Sequence, residues 1–231
     1  MIKISKHLLY TSIGTSLLAL SACSAADKSV DAPQDSITQV TEVITHVVKD
    51  DVAVNSISEI KTIPSGLYVA DSSHAYISFT YDHLGYSKPV LRWGSFDAEV
   101  ALDAEDPAQS TVNVKIDAAE IDSGVDVFND HLRARNFFDV ENYPEITFES
   151  TSVDLDAGTL NGNLTIKDNT KPVTLNVTLN KAGEHFITKK PAFGISAKGR
   201  VMRSDFGVGA YAPNVSDWVD LTIEIEFGPS E

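Results

Sequence analysis

The side chains of this sequence that could do chemistry are one thiol, a scatter of imidazoles, two close-set arginines and several paired acids. The thiol, Cys23, closes the run Leu20-Ser21-Ala22-Cys23 at the end of an apolar stretch that follows Lys3 and Lys6. A basic start, an apolar segment too short to span a bilayer stably and small residues before a cut are the parts of a secretory signal peptide. A thiol set directly after the small residues could take an acyl group before cleavage and become the mature N-terminus. With that thiol acylated, none remains for disulfides, thiol catalysis or cysteine metal sites.

His74, His83 and His131 would suit zinc as a set of three imidazoles. Strand parity argues against it. His74 falls on the opposite face from Ile77 and Phe79, and His83 falls in the turn after them, so hydrogen bonding or solvation is the expected role. No metal and no cofactor are expected. The acids Glu105-Asp106, Asp154 with Asp156, and Glu224 with Glu226 read as the wet faces of strands. Asp205-Phe206-Gly207 matches a kinase motif by letters alone, with no glycine-rich or catalytic loop to accompany it. Nothing resembles a nucleophile held by a base and an orienter, so no catalytic residue is expected and the protein reads as a non-enzyme. Arg133 and Arg135 are head-group candidates, since guanidinium donors can hold phosphate, carboxyl or amide oxygens, and His83 is a third. Surface ion pairs with Asp126, Asp130 or Asp139 are the alternative for the arginines.

The elements that must position these groups are strands. Val219, Leu221, Ile223, Ile225 and Phe227 share one face, and Trp218, Asp220, Thr222, Glu224 and Glu226 the other. The same alternation recurs at Ile77, Phe79, Tyr81; Phe96 to Leu102; Val112 to Ile116; Ile146, Phe148; Leu160, Leu164, Ile166; Val173 to Leu179; and Phe193 to Val201. That predicts an all-β domain of about eight strands. Asp156-Ala157-Gly158 and Lys181-Ala182-Gly183 read as short glycine-bearing hairpin connections, which implies antiparallel pairing. A meander with one dry face buries it by closing on itself. Eight antiparallel strands make a barrel whose interior is either just filled or able to hold one small ligand. The interval Asp126 to Asn136 breaks the period, with Val127, His131, Leu132 and Arg135 at helical spacing and Ser123 or Asp126 as N-cap; it reads as a short capping helix.

Three segments follow: 1–22 as signal peptide, 23–63 as acylated N-terminus and flexible tether without an aromatic residue, and 64–231 as the barrel. The chain carries a net charge of −15, and removing Lys3 and Lys6 with the signal leaves 16 basic against 33 acidic residues, or −17. Such a balance repels nucleic-acid phosphates and anionic head groups, so neither is an expected partner. The membrane would be met through the acyl anchor only, at about 0.8 kcal/mol per buried CH2. The oligomeric state is left open.

The run from His131 to Ser150, HLRARNFFDVENYPEITFES, resembles the signature of the YceI-like domain family. Asp71, His74, Ile77, Phe79 and His83 resemble its opening strand, Leu160 to Leu175 its Gly-Asn-Leu-Thr-Ile hairpin, and Arg203-Ser204-Asp205-Phe206-Gly207 with Val215-Ser216-Asp217 its ending. The likeness spans about residues 66 to 228. It implies a lipocalin-like antiparallel barrel around a hydrophobic pocket for polyisoprenoids, such as isoprenoid quinones or their precursors, or for other long-chain amphiphiles. Lumen candidates are Phe79, Tyr81, Phe96, Leu132, Phe137, Phe138, Phe148, Leu164, Phe193 and Phe206, each also readable as ordinary barrel core. The start of the chain resembles the bacterial lipobox, and Ser24 after the cysteine points to the outer membrane facing the periplasm. The expected function is non-catalytic carriage or sequestration of such lipids. A lipid isomerase or cyclase, or a solidly packed barrel serving envelope stress or interaction, are the alternatives.

Overall fold

A computed structural model describes residues 57–230. The signal peptide, Cys23 and most of the tether reading lie outside the described residues. In chain order the strands are β1 (Gly66–Thr80), β2 (Val90–Trp93), β3 (Phe96–Leu102), β4 (Thr111–Asp117), β5 (Ile121–Asp122), β6 (Glu145–Asp154), β7 (Thr159–Ile166), β8 (Asn169–Glu184), β9 (Pro191–Met202) and β10 (Trp218–Pro229), with one helix, α1 (Asp126–Arg133), between β5 and β6.

Eight of these strands close a barrel. The order β1-β3-β4-β6-β7-β8-β9-β10 is antiparallel throughout, and β10 pairs back onto β1 from Tyr68↔Pro229 to Thr80↔Asp220. Closure removes the exposed edges that an open sheet of this length would present. The short β2 and β5 were not expected from the sequence; β2 pairs with the last residues of β1 and carries β5 on its other side. The dry face read from the sequence is the inner face: Val219, Ile225 and Phe227 of β10 are buried, and Leu221 and Ile223 pack beside them.

Three local expectations are corrected. Lys181-Ala182-Gly183 is no hairpin turn but part of β8, which runs on to Glu184; a register shift between Leu179 and Lys181 lets both Leu179 and Ala182 stay buried. Helix α1 stops at Arg133, short of Asn136, and its N-cap is Val125, not Ser123 or Asp126. The side chain of buried Asn129 reaches back instead: its Oδ1 accepts from the Ser123 backbone N–H at 2.8 Å and from the Ser123 hydroxyl at 2.6 Å, which holds the chain entering the helix. Finally, the end of the supposed tether is folded. Residues 57–60 are helical, and Ile60 and Ile63 are buried among Leu102, Ala104, Leu179 and Ala182. Ordinary apolar burial outweighs the polar local composition that suggested a linker.

The interior divides into two packed regions. One surrounds α1 and the Phe137-Phe138 turn that follows it; the other surrounds Tyr68, Phe193 and Phe227 at the opposite end, beside Ile60 and Ile63.

Candidate functional site

Between the two packed regions the barrel is hollow. A cavity of about 440 Å³ runs along the lumen, lined from Ile60 at one end to Tyr211 at the other. That volume lies in the range of roughly 300–1,000 Å³ usual for small-molecule sites. Its wall is built by the inward residues of the barrel strands, because period-2 alternation sends every second side chain into the lumen. Phe148 on β6, Leu164 on β7, Val173 and Leu175 on β8, and Phe193 and Ala197 on β9 all border it.

Exposure locates the mouth. Of all the lining residues three are exposed: His83, His131 and Tyr211. All three lie at the α1 end. They are held together by contacts between otherwise separate loops. His83, after β1, forms an isolated bridge with Val215, and the Ser216 N–H donates to the Asp82 carbonyl. The His131 ring stands edge-on to Phe137 at 5.0 Å and lies 6.4 Å from Tyr211, which in turn lies 6.1 Å from Phe137. A second aromatic row, Phe79, Trp93 and Phe138, continues inward, with Trp93 and Phe138 edge-on at 5.0 Å.

One cation borders the cavity among the described residues, Arg203. It does not present its donors to the lumen. Nε donates to the Ser216 carbonyl at 2.9 Å, Nη1 to Val208 and Ala210 at 2.9 and 3.2 Å, and Nη2 to Val215 at 3.1 Å. The planar fork thus pins both limbs of the β9–β10 loop to one side chain. Burial pushes its pKa down, opposed by Asp217 nearby, whose carboxylate accepts from the Ser204 N–H and hydroxyl. Tyr81, which faces the same region, has its phenol pushed up by burial and eased back by the Arg203 charge.

Of the lumen candidates, Phe79, Tyr81, Leu132, Phe137, Phe138, Phe148, Leu164, Phe193 and Phe206 border the cavity. Phe96 is half-buried and packs between the two apolar clusters without reaching the lumen. His83 stands at the mouth. Arg133 is turned away from it: Nε donates to the Ala119 carbonyl at 2.6 Å and Nη1 to Asp130 at 3.2 Å, which ties α1 to the segment ahead of β5. Arg135 is exposed and does not border the cavity. His74 lies on the outside, paired with Asp71 at 2.9 Å.

Sequence reasoning missed Arg203, Tyr211, Trp93 and Ile60 as parts of the site. Arg203 stood inside a motif already singled out, and Leu91 and Trp93 alternate with exposed Val90 and Arg92, so both signals were present. The signal for His131 is its place on the helix beside the Phe137-Phe138 pair, at the barrel's capped end.

Comparison with known proteins agrees with this architecture. The YceI-like domain family matches residues 68–227. The chain is 35% identical over 158 residues to Protein YceI of Escherichia coli, covering 68% of this chain and 82% of that protein. Among solved structures, Burkholderia cenocepacia BcnA superposes with a TM-score of 0.61 at 24% identity, covering 68% of this chain and 98% of that one. A Saccharophagus degradans domain described as a polyisoprenoid binding domain implicated in plant cell wall breakdown superposes with a TM-score of 0.54 at 12% identity, covering 72% of this chain and all of that one (100%).

Proposed function

The chain belongs to the YceI-like domain family, and on that premise we propose that it binds polyisoprenoids, isoprenoid quinones or their precursors first among them, and carries or sequesters them without altering them. The observation that carries this reading is the lumen itself: a cavity of about 440 Å³, walled almost wholly by aliphatic and aromatic side chains and opening at one end between His83, His131 and Tyr211. An apolar tail withdrawn from water into such a wall gains about 25 cal/mol per Å² of buried surface, offset in part by the ordering of the tail. The description of the Saccharophagus degradans neighbour supports the same ligand class.

The head group stays at the mouth. Imidazoles and phenols there can donate to or accept from a carbonyl or hydroxyl. Arg203 spends its donors on backbone carbonyls, which favours an uncharged head over a phosphate or carboxylate. Among the described residues no nucleophile and base are paired at the lumen, which supports a binder over a lipid-modifying enzyme.

The same reading puts the protein at the bacterial envelope, with Cys23 acylated as the mature N-terminus and the barrel in the periplasm. Ser24 after the cysteine favours the outer membrane. The binding claim is tested by titrating the purified mature protein with an isoprenoid quinone and with the same ring lacking its tail. Tight binding of the tailed quinone alone supports the reading; equal affinity for both, or none for either, overturns it.

A further inference from the structure

An eight-stranded barrel has two ends, and its strands alone close neither. At the α1 end the exposed lining residues mark an opening. At the other end no lining residue is exposed, and Ile60 borders the cavity there from the segment ahead of β1, outside the strands, as Pro107, Ser110 and Leu155 do from the connections between strands. Residues 57–63 precede β1 and lie beyond the span matched by the family, 68–227. Through Ile60 this segment supplies part of the end wall.

The segment is fastened. The Glu59 carboxylate accepts from the Ala182 N–H of β8 at 3.3 Å. The Tyr68 hydroxyl donates to the Pro64 carbonyl at 2.8 Å, and Ser65 Oγ accepts from the Ala104 N–H at 2.9 Å. Ile60 and Ile63 retain 2% and 3% exposure. A β-branched side chain with few rotamers, fixed on a bonded backbone, makes a stiff wall.

We propose that Ile60, backed by Ile63 and by the Glu59 and Pro64 contacts, is the floor that sets the longest hydrocarbon tail the lumen accepts with its head group at the mouth. The inference rests on the lipid-binding reading and adds what that reading leaves open, the length specificity. A tail that reaches Ile60 fills the cavity. A longer one must either fold back or push its head group out past His131 and Tyr211.

The test is a chain-length series of uncharged isoprenoid alcohols, geraniol, farnesol, geranylgeraniol and solanesol, titrated against the mature protein and three variants, with melting curves run on each. In the unaltered protein affinity rises with length and then falls beyond a cut-off. In Ile60→Ala the cut-off moves to a longer alcohol, with about tenfold gain for the first length the unaltered protein rejects and unchanged affinity for the shorter ones. Ile60→Val moves it in the same direction by less, which keeps the test open if Ile60→Ala fails to fold. Ile60→Phe moves it to a shorter alcohol. A cut-off that is the same in folded Ile60→Val, Ile60→Ala and Ile60→Phe overturns the floor while leaving lipid binding standing. Failure of every alcohol to bind any of the proteins removes the binding reading, and the floor with it.

Discussion

The phenyl ring of Phe148 lies against the Cα of Gly162 across the β6–β7 pair, so close that a Cβ on Gly162 would overlap the ring at Cζ and stand 2.6 Å from the Glu149 carbonyl oxygen. A residue without a side chain is what lets this ring lie flat on the lumen wall. Gly162→Ala is therefore expected to destabilise the barrel by about 1–3 kcal/mol, the usual cost of forcing a methyl into a filled space. Gly199→Ala, whose Cβ would crowd the end of the Leu175 side chain, Cδ2 at 2.5 Å, and stand in ordinary contact with the Thr174 carbonyl oxygen at 3.5 Å, should cost less. Denaturant unfolding of both variants checks the order, and equal loss would contradict it.

Arg203 is expected to be the stability determinant of the mouth. Replacing it by Met leaves the Val208, Ala210, Val215 and Ser216 carbonyls without their shared donor. A buried carbonyl left unpaired costs about 1–3 kcal/mol, and water can recover some of these in an exposed loop, so a loss of about 3 kcal/mol is expected. Lys, a single point of charge, should restore little of it. Unfolding midpoints of Arg203→Met and Arg203→Lys matching the original protein would refute the role.

His74 and Asp71 give a pH signature away from the lumen. The Asp71 hydrogen bond, helped by its charge, raises the His74 pKa above the ordinary value of about 6.5, and the same contact with the Ser73 N–H bond lowers that of Asp71. A raised histidine contributes its stabilisation fully below its unfolded pKa and loses it as pH rises through the folded one. A depressed acid loses its contribution as pH falls through its own folded value. The pair is thus fully formed between the two. An NMR titration should place His74 above the ordinary midpoint, and Asp71→Asn should return it there; an unmoved midpoint would count against the pairing.

Cys23→Ser is expected to release the protein from the membrane fraction or stall its processing. Retention at the membrane in unchanged amount would remove the acyl-anchor proposal.

Much of the barrel was legible because burial on one face leaves a period-2 trace: the residues from Val219 to Phe227 named their own inner side. What failed to show was decided by distant partners. Ile60 sits in a stretch whose Ser, Asp and Thr content reads as linker, and only the apolar surface of Leu102, Leu179 and Ala182 gives it a place to bury. Lys181-Ala182-Gly183 has turn chemistry, yet pairing with Gly194, Phe193 and Ala192 of β9 holds it extended. The part Arg203 plays was not legible beyond its motif, because its four acceptors lie five to thirteen residues downstream, on a loop whose path no local pattern reveals. The head-group candidates Arg133 and Arg135 rest on donor chemistry and on a capping helix read as running to Asn136. The helix ends at Arg133, whose Nε donates to the Ala119 carbonyl, and Arg135 lies exposed beyond it.

The central claim, that the lumen holds a long uncharged lipid, meets its most direct test in mass spectrometry of lipids extracted from natively purified protein, with Leu164→Trp as the control. Leu164 borders the cavity and is not fully buried, so an indole there has lumen to occupy and should block the tail while leaving the barrel folded. The account predicts a polyisoprenoid or isoprenoid quinone, chemically intact, in the extract of the original protein and a marked loss of it from folded Leu164→Trp. Absence of any long-chain lipid from the original protein, or equal amounts in the two, would contradict it.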